Sequence, residues 1–134
     1  MAYTGQLVVE WPFVLGCDVG GVVVKTGPNA VGPLGPLKVG DGVCGCSRLG
    51  SKGYSTCEEY LLMDTQVTFP KPKNIDFAQA ATIGSGVDTA CLGIFHGLGI
   101  DVPKDLSKLP DRGGEWVLVF GGPSSVGKAA VQVC

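Results

Sequence analysis

One stretch near the end of this 134-residue chain limits its fold more than any other. Trp116-Val117-Leu118-Val119-Phe120 is a continuous apolar run, the pattern of a parallel strand buried on both faces. It leads directly into Gly121-Gly122-Pro123-Ser124-Ser125-Val126-Gly127, and Lys128 to Cys134 then reads as helix. Within the loop, Gly122-x-Ser124-x-x-Gly127 has a spacing that cradles phosphates when a strand precedes it and a helix follows. Gly121 and Gly122 permit a tight turn and close approach of a ligand to the backbone, and Gly127 lets the helix pack near the strand. The first helical N–H groups, from about Ser125 and Val126 onward, would face a pyrophosphate, with the hydroxyls of Ser124 and Ser125 as further donors. The same residues also fit an ordinary strand-to-helix turn with serine caps. A parallel strand needs a second strand beside it, and the sequence places none after residue 134.

The earlier part has a different texture. Residues 7 to 70 read as short strands and turns: Val22-Val23-Val24-Lys25, Glu59 to Met63 and Gln66 to Phe69 are the strand candidates. Residues 27 to 42 hold many Gly and Pro and cannot be helical. Short strands separated by turns suggest a small barrel-like domain. Near residue 74 the pattern changes. Asp76 with Gln79 three residues on forms a capping box and predicts a short helix. A second helix is predicted over Thr89 to Leu98, with Asp88 or Thr89 as cap and glycines at its end. Residues 101 to 114 read as a polar loop. The expected organisation is therefore three parts: 1–73, 74–114 and 115–134.

Composition removes several classes of function. The net charge is -2 with no basic run, which disfavours nucleic acid as a partner. No apolar run approaches the roughly 20 residues that span a bilayer. The first residues show no basic stretch followed by an apolar one, so no signal peptide is expected and the cytoplasm is the expected location. The six cysteines, at 17, 44, 46, 57, 91 and 134, are too sparse for a disulfide scaffold. Cys44-x-Cys46 with Cys57 beyond it departs from the spacing of structural zinc sites and reads better as reduced thiols.

These motifs together resemble the medium-chain dehydrogenase/reductase superfamily. Trp116 to Gln132 is similar to the opening of its nucleotide-binding domain. Pro12-Phe13-Val14-Leu15-Gly16-Cys17-Asp18-Val19-Gly20-Gly21-Val22-Val23 resembles the P-x-x-x-G-x-D-x-x-G-x-V segment of its GroES-like domain. Lys38-Val39-Gly40-Asp41-Gly42-Val43 resembles the K-x-G-D-x-V turn, and Ala80-Ala81-Thr82 through Thr89-Ala90 resembles the segment that joins the domains. In style the chain looks most like fungal trans-acting enoyl reductases and quinone-oxidoreductase-like proteins. The resemblance implies a mixed β and α/β fold: part of a GroES-like β-barrel, followed by the truncated start of a Rossmann-type doubly wound domain. The chain is thus expected to be a piece of a longer enzyme, inactive alone.

The resemblance also sets chemical expectations. Zinc-dependent members carry G-H-E where this chain has Gly16-Cys17-Asp18, and their four-cysteine lobe is replaced by the stretch Cys44 to Tyr60. Both departures imply a zinc-independent protein with no metal site. A Lewis acid helps alcohol oxidation most. Reduction of an activated C=C bond needs less, since hydrogen bonds can hold the enolate. The implied activity is hydride transfer from NADP(H) to an enone or enoyl thioester in secondary metabolism, with a polyketide synthase as a partner in trans. The implied cofactor loop is Gly121, Gly122, Ser124, Ser125, Val126 and Gly127. The implied substrate segment is Ile83, Gly84, Ser85, Gly86, Val87, Asp88 and Thr89, which also fits a plain capped connection between domains. No catalytic acid is assigned: Tyr3 is a proton donor by type, but the family's N-P-x-D stretch would lie before Met1. His96 has no partner by spacing and reads as a helix-surface or packed residue rather than a catalyst, and Asp41 reads as a turn residue. The alternatives are a non-catalytic cofactor-binding protein on the same fold, or an inactive truncated product.

Overall fold

A computed structural model describes Thr4, residues 6–105, Ser107 and residues 114–134. The chain divides into two compact units, Met1–Ser85 and Gly86–Cys134. Tyr3 and half of the 101–114 loop, residues 106 and 108–113, lie outside the described residues.

The first unit is built on a three-stranded antiparallel sheet in the order β1 (Asp18–Val22), β4 (Gly42–Cys46), β5 (Thr68–Pro70). β2 (Val31–Gly32) and β3 (Gly35–Pro36) form a separate two-residue hairpin inside the Gly- and Pro-rich stretch. The described strands make no closed barrel. In the β1–β4 ladder Asp18 stands opposite Cys46 and Val22 opposite Gly42. The predicted strand at 22–25 therefore starts four residues too late, at 22 rather than 18. Pairing ends because Lys38 to Asp41 turns back, and only two further bonds, Val23 N–H to Asp41 O (2.9 Å) and Gly40 N–H to Val23 O (2.8 Å), extend it. Asp41 makes that turn, its carboxylate accepting from Lys38 N–H at 2.7 Å. Glu59 to Met63 forms no strand. Of the predicted 66–69 strand, Gln66 and Val67 belong to a 3-10 turn (Thr65–Val67), and only Thr68 and Phe69 pair with β4.

α1 (Phe77–Ala81) starts where the capping box predicts. Asp76 Oδ1 accepts from Gln79 N–H at 2.7 Å, and Gln79 Oε1 accepts from Asp76 N–H at 3.0 Å. The helix packs on β1 and β4 through Ala80, which is fully buried beside Val43 and Cys44. These small side chains make a thin core. Buried hydroxyls supplement it, with Thr68 donating to Asp64 O at 2.7 Å and Ser47 to Leu62 O at 3.3 Å.

α2 (Gly84–Cys91) runs on as a π-helical stretch, Leu92–Gly97, and stops before Gly99, which has φ +68°. The second unit buries Ala90, Ile94 and Ala129, the last from α3 (Ser125–Val133). His96 is exposed, which decides between the surface and packed positions that the sequence left open. The apolar run before α3 has no ladder partner among the described residues, so the expected strand is not formed. Trp116 is 97% exposed and Phe120 88%. An apolar sequence alone cannot make a strand, because its backbone groups need a neighbouring strand to bond.

Candidate functional site

The glycine loop forms a compact turn into a helix. Gly121 takes a left-handed φ of +73°, and its carbonyl accepts from Ser124 N–H at 2.9 Å. Ser124 is the N-cap of α3: its Oγ accepts from Gly127 N–H at 3.0 Å and its carbonyl from Lys128 N–H at 2.9 Å. These bonds occupy two of the four N–H groups that open a helix, leaving those of Ser125 and Val126 for another acceptor. Gly127 is buried against the loop. A Cβ there would collide with the Gly121 carbonyl oxygen and stand 2.8 Å from the Gly122 Cα. Gly122 itself faces open space.

The predicted substrate segment is placed differently from its sequence reading. The helix begins at Gly84, so Val87, Asp88 and Thr89 lie inside α2 and neither Asp88 nor Thr89 caps it. The cap comes from another element. Asp18, at the start of β1, accepts from Ser85 N–H at 2.6 Å and from Ser85 Oγ–H at 2.9 Å, across 67 residues of sequence. Gly84 makes this approach possible, since a Cβ there would run into Asp18 Oδ1 and stand 2.6 Å from Gly45 O. Ile83 precedes the helix in a turn. Gly86 is buried against the loop, 3.5 Å separating a Cβ there from Ser125 O. The structure thus brings Gly86 to the glycine loop.

Two of the cysteine positions also converge. The Sγ of Cys17, the Sγ of Cys46 and a carboxylate oxygen of Asp18 lie within 4.8 Å of one another. Sequence spacing paired Cys46 with Cys44 and missed this neighbour, which the β1–β4 register supplies. A structural zinc site takes four protein ligands and a catalytic one three plus water; the groups gathered here are three, and both Asp18 oxygens also accept from Ser85. Burial pushes the Cys44 thiol above its ordinary range, with Lys71 acting weakly against it. Burial and then the charge of Asp88 push Cys91 the same way.

A cavity of about 310 Å³ with a mixed lining lies in the first unit, with Val19, Leu37, Val43 and Met63 beside Lys25 and Glu58 among its walls. None of the residues assigned to cofactor or substrate lines it. No described helix is long and apolar enough to cross a membrane.

Comparison with known proteins places this arrangement. Residues 1–73 match the alcohol dehydrogenase GroES-like domain. The chain is 34% identical to the dehydrogenase pigH of Monascus ruber, over 96% of this chain and 36% of that protein. It is 29% identical to the trans-enoyl reductase TOXD of Cochliobolus carbonum (90% and 39%) and 33% identical to the quinone oxidoreductase of Rattus norvegicus (91% and 31%). The crystal structure of an alcohol dehydrogenase superfamily protein from Novosphingobium aromaticivorans superposes with a TM-score of 0.73 at 25% identity, over 98% of this chain and 36% of that one. The chain spans about a third of the length of the curated relatives it matches. With over half of its residues matched by the domain model and its motifs in the family's order, the chain belongs to the alcohol dehydrogenase GroES-like family of the medium-chain dehydrogenase/reductase superfamily.

Proposed function

We propose that the intact protein is a zinc-free, NADP(H)-dependent reductase that transfers hydride to the activated C=C bond of an enone or enoyl thioester. The carrying observation is the Ser124-capped loop, with Gly127 packed beneath Gly121 and Gly86 of α2 against Ser125. Ser125 and Val126 present N–H donors where a pyrophosphate would bind, reinforced by the positive end of α3. Gly121 and Gly122 keep the backbone open to it. The segment Ile83 to Thr89 lies toward nicotinamide and substrate, with Asp18 fixing its first turn through Ser85. When bound, the reduced nicotinamide supplies the hydride. The names of the relatives support a small-molecule substrate; a cytoplasmic location, secondary metabolism and a polyketide synthase served in trans are part of the same proposal.

The test is titration of the full-length protein with NADPH, wild type against Gly122→Asp. A Cβ at Gly122 meets nothing within 4 Å, so the variant is expected to keep the fold while it brings a carboxylate to the proposed phosphate site. Binding at least about tenfold weaker is expected, from like-charge repulsion of roughly 1.4 kcal/mol or more. Equal affinity would remove the loop assignment. Turnover of a panel of enones, quinones and enoyl thioesters separates this reading from a cofactor-binding protein without catalysis.

A further inference from the structure

We propose that Cys17 and Cys46 form a redox-active dithiol that closes to a disulfide between the start of β1 and the end of β4. The two Sγ atoms already lie within 4.8 Å of each other. Their backbones are held in register: Ser47 N–H donates to Cys17 O at 2.6 Å, and Asp18 stands opposite Cys46. Adjacent strands about 4.8 Å apart with a one-residue offset of about 3.4 Å put the two Cα atoms roughly 6 Å apart, inside the range disulfides need. Cys17 lies just outside the regular strand, after Gly16 with its left-handed φ of +104°. Its side chain is therefore not bound to the strict alternation that would send it to the other face. Both cysteines are only partly buried, and neither packs in the core.

The neighbouring groups favour this pair over other uses of the same thiols. Asp18 gives both oxygens to Ser85, which fixes its carboxylate beside the two thiols. Cys44 is 1% exposed, and an enclosed thiol with little thiolate is a poor nucleophile. Cys57 is exposed across Gly16 but falls outside the cluster. Cys46 Sγ–H donates weakly to Ser47 O at 3.6 Å, a bond that rotation about its Cα–Cβ bond releases.

The oxidant is a low-molecular-weight disulfide. One cysteine thiolate attacks a sulfur of that molecule, forming a mixed disulfide and expelling one small thiolate. The second cysteine, after losing its proton, attacks the protein-bound sulfur and expels the other. Two protein thiols are oxidised, the small disulfide is reduced to two thiols, and the two protons end on them. Under reducing conditions the bond is transient.

The test is oxidation of the native chain with oxidised glutathione, followed by alkylation of remaining thiols, proteolysis and mass spectrometry. The expected result is a cross-linked peptide pair joining Cys17 to Cys46, lost on treatment with dithiothreitol and unchanged in Cys57→Ser. In Cys17→Ser or Cys46→Ser the cross-link disappears and a glutathione adduct persists on the remaining cysteine. A cross-link from Cys17 to Cys57, or stable glutathione adducts without any Cys17–Cys46 peptide in the wild-type chain, would overturn the proposal. The wild-type peptide map decides this whether or not the serine variants fold.

Discussion

Asp18 does a job that no neighbouring residue in the chain can do. It belongs to the sheet of the first unit, and it accepts from the backbone N–H and the hydroxyl of Ser85 in the first turn of α2. Replacing it with alanine leaves Ser85 without both bonds. We expect a loss of about 1–2 kcal/mol, comparable to deleting a strong helix cap. Asp18→Asn should cost less, because its amide oxygen still accepts from Ser85 N–H. Thermal unfolding of the three proteins at low concentration checks the order. A second prediction concerns Arg48 and Asp64, joined by two bonds of 2.6 and 2.7 Å. Hydrogen bonding from Arg48 holds the Asp64 carboxyl below its ordinary range, and the positive charge adds to this. A carboxyl that titrates lower when folded stabilises the protein above the ordinary carboxylate range, and that gain is lost as the pH falls through its folded pKa. Both groups are largely in solvent, so the effect is small. Unfolding midpoints measured from pH 6 down to pH 2 should show a slightly weaker acid dependence in Arg48→Ala than in wild type.

At the level of elements, the chain separates into those that carry their own signal and those that borrow it. α1 carries its own. Asp76 and Gln79 cap each other within one turn, and the sequence pattern found the helix with its start correct. Asp76→Ala should lower stability by about 1 kcal/mol. Amide exchange should accelerate first at Gln79 and Ala80, the N–H groups tied to Asp76. α2 borrows its start. Glycine at 84 and 86 argued against a helix there, and Asp88-Thr89 looked like a cap. A contact from 67 residues upstream outweighs both signals, so the start moves five residues toward the N-terminus. β1 is shifted for a related reason. The β-branched run Val22 to Val24 has the better intrinsic preference, but the ladder forms where β4 can reach, at Asp18 to Val22. Such effects are invisible to any local window of sequence.

For the whole chain, the balance between thin cores and exposed apolar surface is the governing fact. The described core residues are mostly small, whereas Trp116, Leu118 and Phe120 are 97%, 78% and 88% exposed. An extended apolar segment with no ladder partner among the described residues invites association. The 134-residue chain should therefore self-associate in a concentration-dependent way and bind no NADPH below millimolar concentration, since no strand among the described residues flanks the loop to hold its geometry. Replacing Trp116 and Phe120 with serine should shift the chain toward monomer in sedimentation velocity. A monodisperse wild-type chain that binds NADPH tightly would refute this. The sequence by itself determined what local chemistry can specify: the capping box at Asp76, the turn at Asp41, the serine-capped glycine loop, and the motifs that mark the family. Only the tertiary structure decided where β1 lies, that α2 begins at Gly84, that Gly86 meets Ser125, and that Cys46 rather than Cys44 neighbours Cys17. Each of these depends on residues far apart in sequence meeting through strand register or close backbone approach, and neither leaves a local pattern to read.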